Sequence, residues 1–340
     1  MENKTPLLEL KNINMFFKKP GVSLNQAKEI HVLRDVNLSI YPGEIVAIIG
    51  ESGCGKTTLG KIITGLLQPS KGDIYYQGKK INGVFNKKIA SYNAVQFVQQ
   101  DSYAALNPVR TIYQSLFAPI KTIHRDWDDE EIDAKIEELM ALIGLSPSEQ
   151  YLNKYPHQLS GGQRQRILMA RAISLEPKLI VADEPVSMID VSLRLSLLNL
   201  MKELNKKLNM SFVYISHDLS TTRYIAENGR LAVMYLGEIV ELGNIKDIIK
   251  TPRHPYTRVL IQAVPVPDPK QKLEEPLPLK SMLLGDIEKR TEGCGFENRC
   301  LYSCDKCLKK ISYVQEEGVQ ILCANLENVP KTQIYEMEDE

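Results

Sequence analysis

Residues 50–57 read Gly-Glu-Ser-Gly-Cys-Gly-Lys-Thr, and this stretch decides the fold of the chain. Its spacing, GxxxxGK[ST], is that of a phosphate-binding loop, or P-loop. An apolar run typical of a buried strand, Ile45–Ile49, precedes it, and a helical pattern begins at Thr57. Glycines let successive backbone N–H groups turn towards one anion, and the helix N-terminus adds its positive end. The alternative, a glycine-rich turn that binds nothing, fits this strand–loop–helix context poorly.

Two further apolar runs, Leu179–Ala182 and Phe212–Ile215, are typical of strands that are buried on both faces. Each ends in polar residues, and a helical pattern follows the first of the two. This order predicts an α/β fold with a parallel sheet, whose ligands bind at the carboxyl ends of the strands.

The remaining segments predict two smaller units. Leu7–Phe17, Val32–Ile40 and Asp73–Gln77 are expected to form a small antiparallel sheet. Asp128–Leu142 has apolar residues at helical spacing, and we expect it to lie in a helical insert that reaches about residue 170.

Composition excludes several classes of protein. The chain has 340 residues, with 42 basic and 42 acidic side chains, so it lacks the net positive charge of a dedicated DNA-binding protein. We find no apolar signal-peptide core near the start and no run approaching eighteen apolar residues. The sequence therefore predicts a protein that does not itself span a membrane.

The cysteines are concentrated near the C-terminus. Prolines interrupt the chain after residue 250, which predicts an extended arm, and five of the six cysteines lie between residues 294 and 323. Without a secretory signal, such a cluster indicates a reducing compartment and a metal or iron–sulfur site.

Two motifs complement the P-loop. Asp183 and Glu184 end a buried strand, where Asp183 could orient a Mg²⁺ ion and Glu184 could polarise an attacking water. Many strands end in an acidic residue, so this motif alone is weak evidence for a magnesium site. Together with a P-loop it becomes strong evidence. Residues 160–163, Ser-Gly-Gly-Gln, begin a helix and form a second anion cradle. We expect the following Arg164 and Arg166 to lie on a solvated helix face, with ion pairs to a second subunit as the alternative.

These motifs together resemble the nucleotide-binding subunits of ATP-binding cassette (ABC) transporters. Residues 159–163 match the family signature LSGGQ, and Gln100, Asp190 and His217 match its Q-loop, D-loop and switch positions. The resemblance implies a P-loop NTPase with a RecA-like core, an antiparallel β subdomain and a helical subdomain at about residues 116–170. It assigns residues 1–250 to the ABC ATPase domain and residues 251–340 to a C-terminal extension with a cysteine-rich arm.

The resemblance also implies site residues, with ATP held between the P-loop of one cassette and the signature loop of a second. The implied ATP-binding residues are Phe17 (or Phe16 in its place), Gly50, Glu51, Ser52, Gly53, Cys54, Gly55, Lys56, Thr57, Thr58, Ser160, Gly161, Gly162, Gln163 and Asp190. The implied Mg²⁺ ligands are Thr57, Gln100 and Asp183, and the implied catalytic residues are Glu184, His217 and Gln100.

The C-terminal sequence resembles one subfamily, the oligopeptide/dipeptide permease ATPases, at residues 251–257 and 263–269. This implies a peripheral ATPase on the cytoplasmic face of the cell membrane that powers import of di- or oligopeptides. The implied partners are two membrane-spanning permeases, a second ABC ATPase in a heterodimer rather than a homodimer, and indirectly a solute-binding protein, with no nucleic acid. The alternatives are import of nickel or another small solute, or a soluble ABC ATPase without a transport role.

The subfamily resemblance gives the cysteines a more specific assignment. Cys294, Cys300, Cys307 and Cys323 keep the spacing of a motif that binds a [4Fe–4S] cluster in related proteins, and Cys304 is an additional thiol. A four-thiolate zinc site and unligated thiols are the alternatives.

Cys54 lies in the P-loop at a helix start, where thiolate character is favoured. We therefore expect alkylation of this thiol to block ATP binding and Cys54→Ser to remove that sensitivity.

Overall fold

The computed structural model describes residues 5–18, 29–81, 94–263, 277, 279–283, 285–288, 290 and 292–333. The strands lie, in chain order, at Leu8–Lys18 (β1), Glu29–Ile40 (β2), Ile45–Ile49 (β3), Lys71–Tyr76 (β4), Lys79–Lys80 (β5), Val95–Val98 (β6), Leu179–Asp183 (β7), Ser211–Ser216 (β8), Arg230–Tyr235 (β9), Glu238–Asn244 (β10), Val314–Glu316 (β11) and Val319–Ile321 (β12).

The helices occupy most of the segments between these strands. In chain order they are Lys56–Ile63 (α1), Ser102–Ala105 (α2), Ile112–Ile123 (α3), Asp129–Leu142 (α4), Glu149–Leu152 (α5), Gly161–Ile173 (α6), Val191–Leu208 (α7), Leu219–Ile225 (α8), Ile245–Lys250 (α9) and Pro255–Gln262 (α10). Short 3₁₀ turns lie at Pro156–Gln158, Asp305–Leu308 and Leu326–Asn328.

An eight-stranded sheet forms the centre of the molecule, in the order β11-β12-β10-β9-β3-β8-β7-β6. The five strands from β9 to β6 run parallel, as the sequence predicts for a buried α/β sheet. Their apolar side chains are buried on both faces, which explains why these strands are continuous apolar runs in the sequence. The carboxyl ends of β6, β7 and β8 therefore lie side by side.

The predicted antiparallel sheet is also present, in the order β2-β1-β4-β5. Its apolar side chains, such as Leu10 and Leu38, share a buried cluster with Val46 and Ile48 of β3. This sheet and α1 cover one face of the central sheet.

The helical segment covers part of the other face. Ile136 and Leu139 of α4 are buried in a cluster with Ala47 and Ile49, the β3 residues that alternate with Val46 and Ile48. Asp128 caps α4, because its carboxylate accepts a hydrogen bond from the Glu131 N–H and the Glu131 carboxylate accepts one from the Asp128 N–H. The predicted amphipathic helix is therefore confirmed, and its first predicted residue is the cap.

The C-terminal arm continues the central sheet, which the sequence did not predict. The β11–β12 hairpin pairs antiparallel with β10, and Glu241 lies opposite Ile321. Strands of three residues are too short to show an alternating pattern, so no periodicity indicated them. Residues 264–276, which carry several of the arm's prolines, lie outside the described residues. In the described ranges, no helix is both long and apolar enough to cross a membrane.

Candidate active site

The phosphate loop joins β3 to α1, as the sequence predicts. Gly50 and Gly55 have positive φ angles, and a Cβ atom at Gly50 would lie 2.2 Å from the Met234 carbonyl oxygen. Other residues at these two positions would be strained or would clash with neighbouring groups. The Lys56 ammonium is almost fully buried and donates to the carbonyl oxygens of Gly50 (2.8 Å) and Glu51 (3.0 Å). The lysine is thus held over the loop where it could reach bound phosphates.

Two of the predicted magnesium ligands lie near each other. The Thr57 hydroxyl, in the first turn of α1, is close enough to the Asp183 carboxylate at the end of β7 to influence its pKa. Burial raises the pKa of Asp183, whereas the nearby Thr57 hydroxyl and the charge of Lys56 act in the opposite direction. A hydroxyl and a carboxylate oxygen are hard ligands suited to Mg²⁺.

The three predicted catalytic residues form one hydrogen-bonded group. The Gln100 side-chain amide donates to the Glu184 carboxylate at 3.0 Å, and His217 Nδ1 lies 2.9 Å from the other carboxylate oxygen. The three residues follow β6, β7 and β8, respectively, so adjacent parallel strands bring them together. His217 is largely exposed and Glu184 is partly buried, so the group opens to solvent on the histidine side.

Glu184 has a left-handed backbone conformation, with φ at +47°. Such a φ angle is uncommon for a residue with a side chain and often marks functional positions. Its N–H donates to the Ile215 carbonyl oxygen of β8 at 2.9 Å, which fixes the residue against the neighbouring strand. The carboxylate is therefore aimed by the backbone as well as by its side-chain partners.

The signature loop forms a complete helix cap at the start of α6. Ser160 Oγ accepts from the Gln163 N–H at 3.3 Å, and the Gln163 side chain accepts from the Ser160 N–H at 2.9 Å. A Cβ atom on Gly162 would lie 3.3 Å from Leu193 of α7, so this loop packs beside the segment that contains Asp190. Asp190 itself is exposed.

The prediction that Arg164 and Arg166 lie on a solvated face is wrong. The Arg164 side chain is 7% exposed, and its guanidinium lies 3.6 Å from the centroid of the Tyr103 ring. Arg166 is partly buried and donates to the Ile143 carbonyl oxygen and to Ser196 Oγ. Tyr103 belongs to α2, Ile143 to the helical segment and Ser196 to α7. Spacing along one helix could not indicate these partners on other elements.

Of the two candidate adenine-stacking residues, Phe16 already has a partner. Its ring stacks on the His31 ring with centroids 4.1 Å apart. Phe17, the next residue along β1, is 38% exposed. Of the two rings, Phe17 is therefore the more exposed and the better placed to contact a ligand.

The thiolate character expected for Cys54 is also corrected. Cys54 is 2% exposed, and its burial raises the pKa of the thiol more than the nearby Lys56 ammonium lowers it. Position at a helix start predicts an ionised thiol, but the Cys54 side chain is buried in the protein interior, where desolvation favours the neutral form.

The cysteines of the arm do not form a metal site as they stand. Within the described residues, no group of three or more His, Cys, Asp or Glu side chains converges as ligands of a metal ion. The Cys294 N–H donates to the Cys307 carbonyl oxygen, and the Sγ atoms of Cys304 and Cys307 are 3.9 Å apart. Burial raises the pKa of both Cys294 and Cys300 to about 12, and nearby thiolates of the predicted set act in the same direction. The thiols are thus the type of ligand that an iron–sulfur cluster or zinc needs. They lie near one another, but their sulfur atoms do not converge on one metal position.

Sequence reasoning missed two contacts to the phosphate loop from distant parts of the chain. The Glu51 N–H donates to Tyr256 Oη at 2.9 Å, and Arg299 Nη1 donates to both oxygens of the Glu51 carboxylate. Nothing in the local pattern links residue 51 to residues more than 200 positions later.

Two family models match the chain. The ABC transporter model matches residues 33–187, and the model for the C-terminal region of oligopeptide/dipeptide transporters matches residues 240–307. The second match covers the segment from β10 to Cys307. The matches thus include both the phosphate loop and much of the arm.

Curated relatives align with the chain over most of its length. The oligopeptide transport ATP-binding protein OppF of Haemophilus influenzae is 38% identical over 91% of this chain and 93% of its own length. The dipeptide transport ATP-binding protein DppF of the same organism is 35% identical, over 96% of this chain and 99% of its own length.

A solved structure agrees with the fold. It is a dimeric ATP-binding cassette in a post-hydrolysis state with ADP and Pi, which is 30% identical and has a TM-score of 0.62 over 70% of this chain and 98% of that one. From the phosphate loop, the grouped strand-end residues and these similarities, we conclude that the chain is an ATPase and belongs to the ATP-binding subunits of ABC transporters, in the oligopeptide/dipeptide permease family.

Proposed function

We propose that this ATPase powers import of di- or oligopeptides across the cytoplasmic membrane. The observation that carries the proposal is the alignment with peptide-transport ATPases over more than nine-tenths of the chain, including the C-terminal region. These similarities favour peptides over the nickel alternative. The chain would act on the cytoplasmic face of the membrane with two permease subunits and, through them, a solute-binding protein.

The phosphate loop would bind the triphosphate through its backbone N–H groups and the Lys56 ammonium. Thr57 and Asp183, which lie near each other, would hold Mg²⁺ together with Gln100. When bound, Mg²⁺ would neutralise charge on the β- and γ-phosphate oxygens. Phe17 would stack on the adenine ring.

Glu184 would act as the general base that takes a proton from the attacking water. Its carboxylate is held between the Gln100 amide and His217 Nδ1. These two contacts fix the orientation of the carboxylate before the water binds. His217 would also contact the γ-phosphate through its exposed ring edge.

A second cassette would complete the site. Ser160, Gly162 and Gln163 at the start of α6 would face the partner's triphosphate, and Asp190 would lie near the contact between the two cassettes. The similarity to a dimeric cassette supports pairing. A heterodimer with a second, different ATPase subunit is the form that we propose.

We also propose that Cys294, Cys300, Cys307 and Cys323 bind a [4Fe–4S] cluster, with zinc as the alternative metal. The spacing of the four cysteines along the arm, and the burial of Cys300, Cys307 and Cys323, support the proposal. Iron, sulfide and zinc analysis of anaerobically purified protein, with an absorption spectrum, tests it. Absence of iron, sulfide and zinc would contradict the proposal. No step of ATP hydrolysis proposed above depends on this cluster.

Peptide uptake by cells tests the transport proposal. Cells whose chromosomal copy carries Glu184→Gln should lose uptake of a labelled oligopeptide, whereas cells with the wild-type copy should retain it. Affinity purification from gently solubilised membranes should recover two multi-span proteins and a second cassette. Normal peptide uptake in the variant, or nickel uptake lost in its place, would overturn the assignment.

A further inference from the structure

Glu51 is the only acidic residue of the phosphate loop, residues 50–57. Its carboxylate is partly exposed, with 29% of the side chain accessible. A negative charge at this position repels the anion that the loop binds, unless a cation neutralises it.

The C-terminal arm supplies that cation. Arg299 Nη1 lies 2.8 Å and 3.1 Å from the two oxygens of the Glu51 carboxylate and 3.2 Å from Tyr235 Oη. The Arg299 side chain is 8% exposed, so solvent screens this charge pair less than it screens a surface pair.

An aromatic cluster holds the arginine in place. Phe296, one turn before Arg299, is 1% exposed, and its ring centroid lies 5.3 Å from that of Tyr235 and 5.5 Å from that of Tyr256. The Arg299 guanidinium lies 5.3 Å from the centroid of the Phe296 ring. Tyr256 also accepts a hydrogen bond from the Glu51 N–H, so the same cluster contacts both the backbone and, through Arg299, the side chain of Glu51.

We propose that Arg299 is a positioning residue for ATP binding, which neutralises Glu51 and fixes the phosphate loop from the C-terminal arm. The proposal depends on the ATPase activity and not on the transported solute. The N–H groups of Arg299 and Cys300 both donate to the Phe296 carbonyl oxygen, at 3.0 Å and 2.9 Å. The turn that carries the arginine therefore also carries a cysteine of the arm, and ATP affinity depends on the integrity of that turn.

The test is a charge-rescue experiment on the full-length chain. Arg299→Met keeps an apolar stem against Phe296 but leaves the Glu51 carboxylate unpaired, and we expect the KM for ATP to rise about tenfold with kcat changed less than about twofold. Adding Glu51→Gln to this variant removes the unpaired charge and should lower KM below that of Arg299→Met. Equilibrium binding of a fluorescent ATP analogue gives a second measurement that is independent of turnover.

Arg253→Met provides the matched control. Arg253 is equally buried, but it pairs with Glu316 of the arm at 2.9 Å and not with a residue of the phosphate loop. This variant should lower the melting temperature with the KM for ATP unchanged. A purely structural role for Arg299 would instead give Arg299→Met the same behaviour as this control.

Two results would overturn the proposal: a wild-type KM in Arg299→Met, or a double variant whose KM is no lower than that of Arg299→Met. If Arg299→Met does not fold, Arg299→Lys and Arg299→Gln replace it. Lysine keeps the charge and should keep KM within about threefold, whereas glutamine should raise it. Equal KM values for these two variants would also overturn the proposal.

Discussion

The strand-end site and the cysteine arm are both defined by sequence motifs, but only the first is assembled as its motifs predict. Gln100, Glu184 and His217 meet within hydrogen-bonding distance because adjacent parallel strands end beside one another. The arm cysteines lie outside the longer strands and α-helices, mostly in irregular segments and a short 3₁₀ turn, so no parallel strands set their directions. Motif spacing is therefore informative about geometry where a regular element carries the residues, and less so where turns do.

The largest expected effect tests the strand-end site. Glu184→Gln should lower kcat for ATP hydrolysis by about 10²–10⁴-fold, because the amide cannot accept the proton from water. ATP binding should persist. Single-turnover hydrolysis and equilibrium nucleotide binding measure the two effects separately.

Ser187→Ala is the control for this variant, since Ser187 Oγ also contacts the Gln100 amide, at 3.3 Å, but carries no carboxylate. Ser187→Ala should lower kcat by no more than about tenfold. Unchanged turnover in Glu184→Gln would refute the assignment of the base.

A smaller effect is expected at the exposed side of the same group. His217→Ala removes a hydrogen bond to the Glu184 carboxylate, and kcat should fall about ten- to a hundredfold. Steady-state ATPase assays measure this fall. A loss as large as that of Glu184→Gln would instead make the histidine an equal contributor to the chemical step.

Glu241 of β10, where the central sheet meets the arm, should make the stability of the protein depend on pH. It is fully buried, accepts hydrogen bonds from the Arg253 and His254 N–H groups, and has its pKa raised to about 7 by burial. The folded state therefore binds more protons than the unfolded state between about pH 4.5 and pH 7. Through this group, the free energy of unfolding should fall across that window as pH rises, by up to about 1.4 kcal/mol per pH unit.

Glu241→Gln should remove this contribution. Chemical denaturation at several pH values, with the variant's free energy of unfolding subtracted from that of the wild type, isolates it. Glu203→Gln, which alters an exposed pair with Lys207, serves as the control and should leave the slope unchanged. A pH-independent difference between wild type and Glu241→Gln would show that Glu241 does not titrate in this range.

The smallest effect is expected at Cys54. Because the thiol is buried and its pKa is raised, an alkylating reagent should modify it slowly in the native protein and readily after denaturation. Cys54→Ser should change the KM for ATP by less than about twofold, since the side chain is 2% exposed and serine is of similar size. Mass spectrometry of timed alkylation checks the first point, and rapid native modification would contradict it.

Much of the core could be predicted because its signals are local. The apolar run of β3 and the glycines of the phosphate loop indicate strand, loop and helix within about twenty residues. The Arg299–Glu51 pair could not be predicted, since its partners are 248 positions apart and an arginine in a turn has no distinctive pattern. Arg164 was misjudged for a related reason, because the tyrosine that covers it belongs to another helix.

The pairing of the β11–β12 hairpin with β10 has a genetic consequence. A nonsense mutation just after Cys307 would leave every predicted ATP-binding residue intact, yet it would remove both hairpin strands. Strand β10 would then become an edge, with unpaired backbone groups beside apolar side chains such as Leu242. We expect such truncations to accumulate in aggregates, so nonsense alleles between Cys307 and the hairpin would be as damaging as alleles in the phosphate loop.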